Sequence, residues 1–211
     1  GIALLVFAAT RRWYDEVTAF LAGVITATSF GYVAMARQSL PDLPLAFCIT
    51  LTTWAILMAF TADPFRAHVT QGKSHHRKWW IMAASIGAAA GMLMKGPVAI
   101  ILPTLITAPL VVLEFWRHPT KTKVRPTDLL LGLGLFVLLA SPWFLAMGAT
   151  HGISYWERFF IGENLDRFVS PRYNDPRPFW YYMPIVFAGM LPWSPFMSLW
   201  VSDIWGYIRR K

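Results

Sequence analysis

Residues 79–113 read WWIMAASIGAAAGMLMKGPVAIILPTLITAPLVVL, two apolar runs parted by Lys95, Gly96 and Pro97. The runs, 79–94 and 98–113, have 16 residues each. That is roughly 24 Å of helix against a hydrocarbon core of about 30 Å. Glycine followed by proline breaks a helix, so the pattern predicts a helical hairpin whose turn sits slightly below a membrane surface. Irregular backbone at that depth is tolerated only within protein or beside water. A recessed ammonium on such a turn suits a lipid phosphate, and a snorkelling anchor explains Lys95 equally well.

The rest of the chain has the same character. Of its 211 residues, 56% are hydrophobic and 14% charged, where soluble domains carry about 25% charged residues. The 11 Trp and 15 Phe suit the aromatic belts of membrane interfaces. The fold class expected is an all-α polytopic membrane protein with about seven transmembrane segments. These are 1–10 (truncated), 17–36, 43–62, 79–94, 98–113, 129–148 and 178–202. Gly1 opens within an apolar stretch, which leads us to expect an internal piece of a longer protein. Cys48, the only cysteine, excludes a disulfide framework and a cysteine-based metal site.

The connections between these segments alternate in charge. The first, third and fifth connections and the end of the chain hold 13 of the 19 Lys and Arg residues. By the positive-inside rule they belong in the cytoplasm. Orientation therefore accounts for the net charge of +8, and no compact basic module points to nucleic acid as a partner. The KSHHRK run, with His75 and His76, reads as a solvated cytoplasmic loop rather than a metal site.

Lys95, Arg37, Asp42 and the loop 149–177 then share the extracytoplasmic side. Asp42 is read either as an acid at a helix start, favoured by the dipole, or as a carboxylate aimed at an outer vestibule with Arg37 nearby. Within 155–168, Tyr155, Trp156, Phe159, Phe160, Ile161, Leu165 and Phe168 recur at helical spacing, with charges elsewhere. This predicts an amphipathic helix on the outer surface. Glu163 and Arg167 are four apart in the order that favours a surface ion pair. Arg172 and Arg177 precede the aromatic residues 179–182.

The stretches GMLMKGPVAIILP, YWERFFIGENLDRF and PRPFWYYMPIVFAGMLPWSPF, in this order and spacing, resemble bacterial membrane glycosyltransferases of the GT-C superfamily. Among these are the dolichyl-phosphate-mannose–protein mannosyltransferase-like enzymes and the 4-amino-4-deoxy-L-arabinose transferases that modify lipid A. The resemblance runs from about residue 11 to residue 195. It implies transfer of a hexosyl or pentosyl group from a polyprenyl-phosphate donor to an extracytoplasmic acceptor, namely protein, lipid A or another glycan. The implied setting is the bacterial inner membrane, with the active face outside the cytoplasm. Residues 1–211 then form part of one transmembrane domain: membrane helices in 1–148, an extracytoplasmic loop with an interfacial helix in 149–177, and a membrane helix in 178–206.

Residue by residue, the resemblance makes Lys95 a donor-phosphate contact and Arg167, in the ENL-x-RF segment, a second. Apart from the resemblance, Arg37 and Arg177, read onto the same outer side, are further candidate cations for that phosphate. Asp42 matches an acidic residue that opens a family helix and supports catalysis, and Glu163 belongs to the loop that shapes the vestibule. Two departures stand out. The family's principal catalytic acid lies in a first outer loop that would precede Gly1, and a C-terminal region is expected to follow. Asn164 stands where aminoarabinose transferases often carry His, so neither lipid A specificity nor a metal ligand is carried over there. A divalent metal ion is left open as the one cofactor.

The chemistry is coherent on the residues alone. A sugar–phosphate bond that breaks leaves a lipid phosphate gaining negative charge, which fixed cations stabilise. A hydroxyl acceptor also needs a carboxylate to take its proton. Two other readings use the same residues: a transporter or flippase of polyprenyl-linked lipid, and a non-catalytic membrane assembly subunit. Transporters place binding groups near mid-membrane on broken helices, whereas the segments here carry almost no charge at mid-depth.

Overall fold

The computed structural model describes residues 1–38, 40–60, 74–117, 125–166 and 178–197. The chain divides into two compact units, Gly1–Leu40 with Pro176–Lys211, and Pro41–Asp175. All described elements are helical.

In the first unit, α1 (Ile2–Trp13) packs along α2 (Glu16–Thr28). Asp15 starts α2 as its N-cap, accepting hydrogen bonds from the Thr18 amide at 2.9 Å and the Thr18 hydroxyl at 2.7 Å. Arg11 at the end of α1 pairs with Glu16 at 3.0 Å. Helix α2 stops at Ser29, whose hydroxyl donates to the Ile25 carbonyl, and α3 (Phe30–Ala36) continues at a bend of 56°. Gly31 on α3 lies against Gly189. Gly189 ends the short helix α9 (Tyr182–Gly189), and the Trp193 indole donates to the Thr28 hydroxyl at 2.8 Å.

The second unit is a bundle of α4 (Asp42–Phe60), α5 (Ser74–Lys95), α6 (Val98–Arg117) and α7 (Pro126–His151). The small residues of α5 let it sit centrally against α4 and α7. A methyl group at Gly91 would meet the Ala99 Cβ at 2.6 Å and the Cys48 Cβ at 3.3 Å. Cys48 lies opposite Gly91 and Thr52 opposite Gly87, so α4 runs antiparallel to α5. Gly132 meets Ile81, and Phe144 packs near Ala89, so α7 runs parallel to it. Arg77, Lys78, Arg117 and Arg125 therefore gather at one end of the bundle, and Asp42, Lys95 and His151 at the other. Hydroxyls within the helices bond back to carbonyls four residues earlier, as Thr107 does to Pro103 at 2.7 Å. Leu105, Leu130 and Leu138 point outward, as lipid-facing side chains do.

The chain is an all-α polytopic membrane protein. Among the described residues, α4, α6 and α7 are long and apolar enough to cross a membrane, and the bent pair α2–α3 makes a fourth. The sequence expectation was about seven. Helix α5 has the length, but its charged start and many Ala and Gly residues lower its hydropathy. The segment 178–202 is not one continuous helix as far as it is described. It comprises a 3₁₀ turn (Phe179–Tyr181), α9 and a second 3₁₀ turn (Ser194–Phe196), with Pro192 and Pro195 removing the amide donors a longer helix needs.

The stretch expected to form a surface helix over 155–168 is helical as far as it is described, α8 (Ile153–Trp156) running into a π-helix, Glu157–Leu165. Its aromatic face rests on protein. Phe144 of α7 meets Phe159 edge-on at 5.3 Å between ring centroids, and Trp156 stacks on Phe160 at 5.6 Å. Ile161 on the same helix is exposed.

Candidate functional site

Lys95 is the last residue of α5, and Gly96 reverses the chain with φ +79°, a conformation that side chains with a Cβ adopt at a cost. The Gly96 amide donates to the Met92 carbonyl at 2.9 Å, and its own carbonyl accepts from the Ala99 amide at 3.2 Å. The turn is thus closed on both sides, and α6 begins immediately after Pro97. This geometry fixes where the Lys95 backbone ends and leaves its side chain free to reach along the bundle end.

That side chain forms an ion pair with Asp42, the first residue of α4. The pair spans 53 positions in sequence and joins the N-terminus of one helix to the C-terminus of its antiparallel neighbour. Each charge also suits the dipole of the helix end that carries it. The Lys95 and Asp42 side chains remain 41% and 40% exposed, so the pair is open to an incoming anion. Arg37, read from the sequence as a neighbour of Asp42, is exposed at the C-cap of α3 and belongs to the other unit.

The π-helix reaches the same turn. A Cβ on Gly96 would lie 3.0 Å from the Asn164 amide nitrogen, 3.1 Å from its amide oxygen and 3.2 Å from the Phe159 ring. The Asn164 amide in turn donates to the Phe159 carbonyl at 2.6 Å. The KGP and ENL motifs, some 70 residues apart in sequence, therefore meet at one place. Glu163, beside Asn164, is exposed on the π-helix. Arg167 and Arg177 lie outside the described residues, as do the side chains of His75 and His76. Among the described residues, no three His, Cys, Asp or Glu side chains are grouped to hold a metal ion, and no step through a metal is derived.

Below this end of the bundle, a cleft of about 390 Å³ opens among α4, α5, α6 and α7. Ile56, Ile81, Ile100 and Phe136 line it, with Thr52 and Ser85. Ala88 on its wall is seven residues before Lys95, about 10 Å along α5.

The family described as dolichyl-phosphate-mannose-protein mannosyltransferase matches residues 2–157. The chain belongs to that mannosyltransferase family. The matched region holds Asp42, Lys95 and Gly96 and ends just before Glu163 and Asn164. Among curated relatives, an undecaprenyl phosphate-alpha-4-amino-4-deoxy-L-arabinose arabinosyl transferase of Pseudomonas aeruginosa is 30% identical over 214 residues. The alignment covers 97% of this chain and 35% of the relative. A protein of the same name from Pectobacterium atrosepticum is 30% identical over 196 residues, covering 90% of this chain and 32% of the relative. A third, from Proteus mirabilis, is 26% identical over 212 residues, covering 99% and 35%. The chain thus spans about a third of the length of these relatives. No solved structure matches it.

Proposed function

We propose that the chain is part of a membrane glycosyltransferase that moves a sugar from a polyprenyl-phosphate donor to an acceptor outside the cytoplasm, with Lys95 binding the donor phosphate. The observation that carries this reading is the ion pair between Lys95 and Asp42 at the end of an apolar bundle. It is a half-exposed cation held at a fixed turn, within the region that the family match covers. The names of the relatives supply the donor class, an undecaprenyl-phosphate-linked sugar.

The chemistry follows from charge. As the bond from the sugar to the phosphate oxygen breaks, the lipid phosphate gains negative charge, and the Lys95 ammonium offsets it. The apolar cleft beside α5 offers the isoprenoid chain a place to lie. Asp42, once exchanged for the phosphate on Lys95, and Glu163 are the carboxylates available to support proton removal from a hydroxyl acceptor. Arg167, on the strength of the family resemblance, and Arg37 and Arg177, as cations read onto the same outer side, are further candidates for the phosphate. The setting we infer is the bacterial inner membrane, with the Asp42–Lys95 end extracytoplasmic.

The test uses the full-length enzyme in membranes. Sugar transfer from a polyprenyl-phosphate donor and binding of the polyprenyl phosphate are compared for wild type and Lys95→Ala. Both should fall sharply in a properly inserted protein. Normal transfer and binding would reduce Lys95 to an interfacial anchor and refute the site.

A further inference from the structure

The Lys95–Gly96 turn is bounded on two sides, and on one of them Lys95 pairs with the Asp42 carboxylate. On the other, the Asn164 carboxamide and the Phe159 ring close over Gly96, where even a methyl group would come within 3.0 to 3.2 Å of both. The carboxamide is itself fixed, because it donates to the Phe159 carbonyl five residues back. That reach suits the wider turn of a π-helix, a rare form that is frequent at functional sites. Phe159 in turn is anchored by Phe144 and by stacking on Tyr155 at 5.8 Å. A continuous chain of contacts thus runs from α7 through Phe159 and Asn164 to the backbone that carries Lys95.

We propose that Asn164 is a positioning residue for the donor site, setting the place of the Lys95 ammonium through its contact with Gly96. This rests on the reading of Lys95 as the phosphate ligand. Asn164 need not touch the donor. Its amide fills the space above the turn, so that α5 ends and α6 begins at one fixed point. Without it the turn has room to shift toward the π-helix, and Lys95 loses its register with the phosphate. Misplacement by about 1 Å is enough to cost a positioned group much of its effect.

The test measures the Kd of a polyprenyl phosphate for the full-length enzyme in nanodiscs, in wild type, Asn164→Ala, Lys95→Ala and the double variant. Asn164→Ser, whose side chain is too short to span to the Phe159 carbonyl, is run beside Asn164→Ala in case the latter inserts poorly. The expected result is a Kd about tenfold higher for either Asn164 variant. In the Lys95→Ala background the same change should leave Kd within about twofold, because sites acting through one another are not additive. An equal weakening in both backgrounds would mean a general packing role, and an unchanged Kd in the Lys95 wild-type background would remove the role altogether. Either result overturns the proposal. Wild-type binding by Lys95→Ala alone would overturn it too, and would show that the fault lies with the donor-site reading beneath it.

Discussion

The ion pair between Asp42 and Lys95 makes a prediction whose sign separates two roles for the carboxylate. On the proposed reading, a donor phosphate that binds Lys95 competes with Asp42 for the ammonium. The two side chains are 40% and 41% exposed, so the pair belongs near the upper end of the range for solvent-accessible ion pairs, about 1 kcal/mol. Asp42→Asn removes that competition while keeping the size of the side chain. The Kd for a polyprenyl phosphate should then fall about fivefold, the factor equivalent to that energy. The gain should shrink as salt is raised from about 0.1 M to 1 M, where the screening length drops from about 10 Å to 3 Å. Sugar transfer at saturating donor should move the other way, since the variant lacks the carboxylate proposed to support catalysis. Binding to the full-length enzyme in nanodiscs at two salt concentrations, with turnover alongside, reads all three quantities. Weaker binding by Asp42→Asn would refute the reasoning, because Asp42 would then be orienting the ammonium for the phosphate and not occupying its place.

Further expectations concern packing and caps. Gly91→Ala places a methyl group 2.6 Å from the Ala99 Cβ, where both neighbours are backbone-fixed helices. Overpacking of this kind costs about 1–3 kcal/mol, so the melting temperature in detergent should drop. Gly134→Ala meets nothing within 4 Å and should leave it unchanged or slightly raised. Gly148→Ala would bring a methyl group to 2.5 Å from the Trp156 indole nitrogen. It should unseat the π-helix and speed proteolytic cleavage within residues 153–166. The bonds from the Thr18 amide, and then from its hydroxyl, hold the Asp15 carboxyl below the usual carboxylate range. A lowered folded-state pKa adds stability above the unfolded value of about 3.9, and that stability is lost as pH falls through the folded value. Asp15→Ala should therefore melt lower than wild type at pH 7, and the gap should close on acidification below about pH 4.

The bundle's two ends were legible because charge and helix breaks are local signals. The cluster of Arg77 and Lys78, the break at Gly96–Pro97 and the basic residues about α6 and α7 can each be read within a few positions. Seating the hairpin required no knowledge of its neighbours. The broken α2–α3 pair and the interrupted 178–197 segment were harder. Apolar content continues straight through Ser29 and across Met190, and hydropathy does not register where the backbone turns.

What stayed hidden was pairing across distance. Nothing near Asp42 names Lys95 as its partner. Arg37 is nearer in sequence, yet the antiparallel packing of α4 on α5 decides the match. That packing did leave a mark in the run AASIGAAAG, where residues too small to fill a lipid-facing surface signal a helix pressed against its neighbours. The aromatic face of 155–160 shows the same limit from the other direction. A stripe at helical spacing says that a face is apolar, but lipid and a neighbouring helix satisfy it alike. Here Gly148 is the residue that could have decided the matter. A glycine near the end of α7 clears the space that the Trp156 indole occupies, so the stripe lands on protein, and that landing brings Asn164 to Gly96. The small residues thus carry as much of the site as the charged ones do. On the proposed reading, the ammonium can meet a phosphate only where the glycines allow the helices to close.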